Sequence, residues 1–393
     1  DEPVRYELAS DMLRLTFPYL LFISLTAFCG GMLNTFGRFA VPAFTPVLLN
    51  VTMIMAALVA APHFQEPIMA LAWGVFFAGL VQLLFQLPSL HRLELLVWPR
   101  WGWKTAGVQR VLKLMVPALF GSSVAQINLL FDTLLASFLV TGSVSWLYYS
   151  DRLMEFPLGL FGVALGTVIL PSLSRQHALQ DPGTFSHTLD WALRWATLIA
   201  IPAALGLAVL AGPLLTTLFQ YGEFGASDVR MASRSLVAYA FGLTAFIYIK
   251  VLAPGFYSRQ DMRSPVRIGV IAMIVNMGLN VALIFPLAHA GLALATSMSA
   301  FLNAGLLLRR LRSERVYLPA SGWRVFGLRI GAASLVMSLF LLWAVPEVGH
   351  WLSWTATQRV LNLLVWILAA VILYFLVLLL SGLRPWHLKV VTA

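Results

Sequence analysis

The chain holds one cysteine, Cys29, among 393 residues. That excludes a disulfide framework and any metal site built on several thiolates. Charge is equally sparse: Asp, Glu, Lys and Arg make up 11% of the sequence, against about 25% in soluble domains. No phosphate-binding loop, HExxH helix or nucleophile elbow occurs, and the seven His are scattered. Each of those motifs carries a specific chemistry, and without them the chain is not expected to be an enzyme. No nucleotide-hydrolysing domain is recognisable either. If the protein moves something, an ion gradient, the membrane potential or the substrate's own gradient must drive it.

What the chain does have is hydrocarbon. Apolar residues make up 60% of it and the mean hydropathy is +0.85. A membrane span needs about 20 mostly apolar residues. Eleven runs qualify: 12–33, 42–61, 69–88, 111–139, 143–170, 187–210, 231–256, 266–286, 289–308, 325–345 and 357–380. They are continuous and contain Gly and Pro, unlike the ten-residue alternation of a membrane barrel. The expectation is an all-α polytopic membrane protein. Pro18, Pro157, Pro202 and Pro254 fall inside runs and predict bends, which membranes tolerate where neighbours re-satisfy the freed carbonyls.

The formal net charge is +10, which by itself would suit nucleic acid. Its placement argues for topology instead. Seventeen Lys and Arg fall in one alternate set of loops, which includes Arg38, the stretch from Arg92 to Lys113, Arg175, Arg259–Arg267, Arg309–Arg324 and the C-terminus. Five fall in the other set: Arg5, Arg14, Arg230, Arg234 and Arg359. Cytoplasmic loops carry the Lys/Arg excess, so the C-terminus is predicted to be cytoplasmic and residue 1 to face outward.

A repeat emerges on the same frame. Pro-x-x-Gly-Trp occurs at 99–103 and at 319–323, each time after a basic loop and before a span. Arg38 to Pro42 and Asp261 to Pro265 form a second matching pair. Transporters are often built from such repeats. Three spans over 12–88 would then match three over 231–308, leaving 111–210 without a partner. The economical expectation is two six-helix units plus a helix pair, fourteen helices in a full protein, with the first three absent from this sequence. The acidic, non-Met start at Asp1 agrees. The alternative is eleven spans and a fortuitous repeat.

An ionisable residue inside a span costs roughly 2.5–3.5 kcal/mol on insertion scales and is a functional-site hypothesis by default. In YYSDRLMEFPLG (148–159), Asp151, Arg152 and Glu155 share one helical neighbourhood. Arginine offers five N–H donors in a fork suited to phosphate oxygens. The bland alternative is an intrahelical ion pair that only locks packing. Asp132 stands midway down a span in NLLFDTLLAS. Asn276 and Asn280 lie one turn apart in IVNMGLNVAL, and Thr296 with Ser297 follows in LALATSMSA. Carboxylate, amide and hydroxyl oxygens suit a hard cation; interhelical hydrogen bonding is the competing account. Lys250 falls near the inner end of a span and Arg194 near the outer end of another, where either side chain can snorkel. Asn50, Gln82 and Gln86 are cavity walls or interhelical glue.

YYSDRLMEFPLG, with GSVSWLYYS before it and GVALGTVILPSLS after it, resembles the MurJ/MviN family of lipid II flippases. So do LNTFGRFAVPAFTPVLLN (33–50), FQYGEFGASD (219–228) and LAPGFYSRQDMRSPVRI (252–268). The resemblance spans the whole sequence, which looks like a proteobacterial member. It implies the two-lobed exporter fold of the multidrug/oligosaccharidyl-lipid/polysaccharide type, with 11 of 14 helices present. Residues 1–107 would be the remainder of the N-terminal lobe, 108–315 the C-terminal lobe and 316–393 a helix pair forming a lipid-tail groove. The implied function is to move undecaprenyl-diphosphate-linked disaccharide-pentapeptide to the outer leaflet of the inner membrane by alternating access. The peptidoglycan synthesis machinery is an implied partner. Of the cavity arginines the family carries, Arg152 is present, and Asp151, Glu155, Asn50 and Lys250 are the accompanying substrate-site candidates. Some relatives hold sodium at positions matching Asp132, Asn276, Asn280 and Thr296, although Asn280 stands where they have a carboxylate. No other cofactor is implied. A cation-coupled exporter of small molecules, which would tolerate loss of Arg152, and a non-transporting scaffold remain as alternatives.

Overall fold

A computed structural model describes residues 2–96 and 102–383. All regular structure among them is helical, and the chain divides into two compact units, Asp1–Gln109 and Arg110–Ala393. Ten helices among the described residues are long and apolar enough to cross a membrane, one fewer than expected. The difference is the run 111–139: a helix, Ala106–Ser137, does occupy it, but part of its middle lies outside the described side chains. Most of the Pro-x-x-Gly-Trp motif at 99–103 and everything after residue 383 also lie outside the described residues.

The first unit contains α1 (Glu2–Thr16), α2 (Tyr19–Thr35), α3 (Ala40–Met55) and α4 (Pro67–Arg92). Pro18 separates α1 from α2, as its missing N–H and fixed φ demand. α3 loosens into a π turn, Ala56–Ala60, before its end. α2 and α3 both pack on α4. Buried Gln82 donates to the Thr45 carbonyl at 3.2 Å and Gln86 to Thr45 Oγ1 at 3.0 Å, while Tyr19 O–H reaches Gln82 Oε1 at 3.4 Å. Gln82 and Gln86 are therefore interhelical glue, one of the two roles expected of them.

The second unit holds α5 (Ala106–Ser137, from Arg110 on), α6 (Ser143–Pro157), α7 (Ala164–Ala178), α8 (Pro182–Val209), α9 (Ala211–Phe219) and α10 (Ala226–Leu252). It continues with α11 (Pro254–Tyr257), α12 (Arg263–Leu287), α13 (His289–Ser313), α14 (Trp323–Ala344), α15 (Val348–Ser353) and α16 (Ala356–Leu380). α10 is the hub, flanked by α13, α8 and α6, with α12 on the far side of α13. Leu189, Leu193, Leu243, Ile247 and Phe256 fill its core. Gly242 lets α10 meet α13 closely: a Cβ there would lie 2.7 Å from Ser297 Cβ and 2.8 Å from its Cα. Small residues permit such backbone approach in membranes. Pro157 precedes a π turn, Leu158–Val163, and Pro254 divides α11 from α10, whereas α8 runs through Pro202.

α14 and α16 pack on each other and on α8, with Tyr374 O–H donating to the Leu198 carbonyl at 2.7 Å. Arg359, in the first turn of α16, is buried and donates only to carbonyls, those of Thr216, Gln220 and Leu352 at 3.0–3.3 Å. It ties α16 to the end of α9, where the helix dipole favours a cation.

The helices that run into the basic set of loops end alike. A residue with positive φ (Gly37, Glu94, Gln180, Gln260, Arg315 or Gly382) is followed by an N–H that reaches back five residues to a carbonyl. The bonds are Arg38 to Leu33, Leu95 to Leu90, Asp181 to Gln176, Asp261 to Phe256, Val316 to Leu311 and Leu383 to Leu378, all 2.8–3.1 Å. This left-handed closure satisfies orphan carbonyls at a helix end. The Gly37 and Gln260 corners, and the Glu94 and Arg315 corners, recur at nearly the repeat spacing read from the sequence.

Candidate functional site

The charged stretch of α6 is held by the opposite face of the same helix. Leu147, Ser150, Leu153, Met154 and Pro157 are buried, and Ser150 Oγ donates to the Ala232 carbonyl of α10 at 2.8 Å. Near the start of α6, Trp146 Nε1 donates to Asp228 Oδ1 at 2.7 Å. That leaves Tyr148, Arg152 and Glu155 facing outward. Arg152 pairs with Glu155, yet their side chains stay 53% and 47% exposed. The guanidinium also lies 5.0 Å from the Tyr148 ring centroid. A half-exposed pair locks no packing, and most of the guanidinium's N–H groups stay available. Asp151 is half-buried beside it. Lys250 is exposed in the last turn of α10, and Asn50 is exposed on α3 of the first unit.

The second set converges. Asn280 donates to one carboxylate oxygen of Asp132 and to Asn276 Oδ1 at 3.0 Å. Asn276 donates to Thr296 Oγ1 at 3.3 Å and to Ser299 Oγ at 3.4 Å. All four residues singled out from three separate helices thus meet in one hydrogen-bonded cluster. Ser297 does not join it; its Oγ donates to the Ala238 carbonyl at 2.6 Å, across the tight α10–α13 contact. Asn128 does join it, donating to Asp132 Oδ2 at 3.3 Å. Sequence reading missed Asn128, although its place one helical turn before Asp132 in NLLFD was visible.

The donor set is entirely oxygen and amide, which fits a hard monovalent cation. Asn280 Oδ1 and Asn128 Oδ1 are buried without a partner. Buried acceptors are normally satisfied, so two orphaned amide oxygens beside one carboxylate are consistent with a cation there. Among the described residues no group of three or more His, Cys, Asp and Glu gathers, and the cluster is correspondingly unlike a transition-metal site.

Arg194 corrects an expectation. Its Nε pairs with Asp190 at 2.8 Å and its Nη2 donates to the Ser321 carbonyl at 2.8 Å. Ser321 belongs to the basic loop before α14, so Arg194 sits at the end of α8 assigned to the inside, not the outside. Asp190, also missed from the sequence, is nearly fully buried. Its Oδ1 accepts from Tyr317 O–H at 2.8 Å, Ala320 N–H at 3.1 Å and Trp323 Nε1 at 2.7 Å. Burial first, then the charge and hydrogen bond of Asp190, push the Tyr317 phenol well above its ordinary pKa, so it remains a donor. The DWALR spacing, an acid and an arginine one turn apart inside a span, was the signal available.

A family model described as lipid II flippase MurJ matches residues 2–377. A protein of Vibrio cholerae named "Probable lipid II flippase MurJ" is 54% identical over 388 residues, 99% of this chain and 74% of that protein. A Haemophilus influenzae protein with the same name is 49% identical over 98% of this chain and 76% of its own length. A solved structure, "Lipid II flippase MurJ, inward closed conformation", superposes with a TM-score of 0.77 at 24% identity, covering 94% of this chain and 73% of that one. It carries the fold: all-α and multi-pass.

Proposed function

The chain belongs to the lipid II flippase MurJ family, and from that premise we propose that it carries lipid II across the inner membrane, as a transporter and not an enzyme. The observation that supports this most directly is Arg152: a guanidinium half exposed on a span, with one N–H committed to Glu155 and a tyrosine ring beneath it.

The physical problem is the headgroup. A diphosphate, two sugars and a peptide cannot enter hydrocarbon unaided, since each unpaired polar group costs several kcal/mol there. Arg152 is our candidate for the diphosphate, because its planar fork matches two phosphate oxygens at once. Glu155 keeps the guanidinium aimed and releases it as an anion arrives. Asp151, Lys250 and Asn50 are the further headgroup contacts we assign. The prenyl tail stays in lipid along α14 and α16, whose outer faces present Leu328, Leu342, Leu361 and Leu380. Alternating access by rocking of repeats is the mode we infer, with the C-terminus on the cytoplasmic side, as the Lys/Arg asymmetry supports. Contact with the peptidoglycan synthesis machinery is a further part of this reading.

Asp132, Asn276, Asn280 and Thr296 would hold a sodium ion, which would couple its gradient to the transport cycle. Their shared cluster and its orphaned amide oxygens support that assignment.

The experiment is replacement of Arg152 by Ala and by Lys, reading lipid II exposed on the outer face of cells depleted of their own flippase, with membrane abundance monitored. Loss of flipping at normal abundance, poorly rescued by Lys, is the expected result. Normal flipping by Arg152→Ala removes Arg152 as the headgroup contact.

A further inference from the structure

An open cavity of about 420 Å³ lies in the second unit between α10, α12 and α13. One end lies at Tyr257 and Val266, 40% and 42% exposed, beside the basic Arg259–Arg267 loop. The other reaches Asn276 and Ser299, 1% and 8% exposed, within the Asp132 cluster. Along α12 its lining extends from Pro265 to Asn276, roughly 16 Å at 1.5 Å per residue. The cavity therefore spans about half of a bilayer's hydrocarbon thickness, which is close to 30 Å.

Its chemistry differs from wall to wall. Apolar groups from α10 and α12 form one wall, while Asn303, Ser299, Thr296, Asn276 and Asn128 supply amides and hydroxyls. Among the described residues no charged side chain lines it. A roomy cavity with several polar groups holds water, whereas a purely apolar one stays dry. Asn128, whose amide oxygen is orphaned, lines its deep end; Asn280, with a second orphaned oxygen, lies behind it, joined through the Asp132 carboxylate.

We infer that this cavity is a hydrated vestibule through which a small monovalent cation reaches Asp132 from the basic-loop side, and that Asn128 turns its free amide oxygen toward the ion. The reasoning is electrostatic and steric together. A wall of neutral oxygens and amides replaces part of a cation's hydration without trapping it, and the Asp132 carboxylate supplies the single negative charge at the end. One carboxylate among neutral ligands suits one positive charge. This rests on the cation role proposed above for the Asp132 cluster, but the path and Asn128 are separate from it and are tested separately.

The single cysteine makes the test clean. In a Cys29→Ser background, Gly269→Cys and Asn303→Cys place thiols on the vestibule wall. A Cβ at Gly269 meets nothing within 4 Å, so that variant should fold normally. Ser313→Cys and Glu223→Cys mark the two membrane sides. Vesicles of each orientation are treated with a membrane-impermeant thiol reagent. Labelling of Gly269→Cys and Asn303→Cys from the Ser313 side, and its loss from the Glu223 side, is expected. Labelling from the Glu223 side, or from neither side while both markers react, overturns the vestibule. Asn128→Ala, Asn128→Asp and Asp132→Asn are then compared with the parent for binding of radioactive sodium. Weaker binding by Asn128→Ala than by the parent, retained binding by Asn128→Asp, which keeps an oxygen at that place, and none by Asp132→Asn are expected. Undiminished binding by Asn128→Ala, in a parent protein that binds radioactive sodium, overturns the part assigned to Asn128. If the parent binds no sodium, the cation role itself fails, and the sidedness of Gly269→Cys labelling still decides the path.

Discussion

Trp323 Nε1 donates a 2.7 Å hydrogen bond to Asp190 Oδ1, joining the first turn of α14 to the N-terminal half of α8, more than a hundred residues earlier. The same carboxylate holds Tyr317, Ala320 and Arg194, and Arg194 reaches on to the Ser321 carbonyl and covers the Trp323 ring at 5.3 Å. This one buried acid therefore fastens the α14–α16 pair to the bundle.

Asp190→Asn should loosen that attachment. It leaves a mostly buried arginine without its counter-charge, and breaking one partner of a buried pair costs about 3–5 kcal/mol. Trp323→Phe removes a single hydrogen bond to a charged acceptor, about 1.5–3 kcal/mol. Thermal unfolding in detergent should rank parent above Trp323→Phe above Asp190→Asn. Equal melting of all three would mean that the Asp190 contacts do not hold the helix pair in place.

The α10–α13 contact makes a sharper steric prediction. Gly242→Ala forces the new methyl against the backbone of Ser297 and strains the Ser297 to Ala238 bond; overpacking of this kind costs about 1–3 kcal/mol. Gly305→Ala on the same α13 meets nothing within 4 Å and should be neutral, or stabilising by up to about 1 kcal/mol from helix propensity. Melting temperatures of the two variants should move in opposite directions or differ clearly; a matching fall would refute the steric account.

Much of this was legible beforehand, for physical reasons. Lipid imposes a length and an apolarity on every span, so the helices could be read directly. Asp132, Asn276, Asn280 and Thr296 stood out because polar groups at membrane depth are costly, and it was the family resemblance that set the four together. Asp190 and the true place of Arg194 escaped for the opposite reason. The partners, Tyr317, Ala320, Ser321 and Trp323, lie in the loop before α14 and in its first turn, more than a hundred residues away, and no periodicity records such a pairing. Asn128 was hidden by its ordinary appearance: an amide one turn before an acid reads as glue until the orphaned oxygen is seen.

Asp261 gives a pH prediction outside the membrane. Its Oδ1 accepts from Ser264 N–H at 3.0 Å in the first turn of α12. Burial pushes its carboxyl up, but the Ser264 hydroxyl and N–H, with Arg259 nearby, outweigh that and hold it below its ordinary value of 3.8. A carboxyl depressed in the folded state stabilises above its unfolded pKa, and that contribution fades as pH falls through the folded one. Asp261→Ala should therefore melt below the parent at neutral pH, by the equivalent of about 0.5–2 kcal/mol for a lost helix cap. The gap should close below the usual carboxylate range. A gap that persists unchanged into acid would show that the carboxylate's charge plays no part.

Asn280→Asp tests the cation cluster by charge. In the parent, Asn280 supplies an N–H to Asp132, so the carboxylate is satisfied without an ion. The substitution removes that donor and sets a second carboxylate beside the first. Two like charges at this depth repel strongly unless a cation lies between them or one is protonated. The variant should be less stable than the parent in choline and should recover in sodium, because a ligand that binds only the folded state raises stability with its concentration. Melting in matched sodium and choline buffers reads this directly, with Asp132→Asn expected to show no sodium effect. If Asn280→Asp melts at the same temperature in both salts, the oxygens gathered around Asp132 do not form a sodium site, and the cluster is interhelical hydrogen bonding alone.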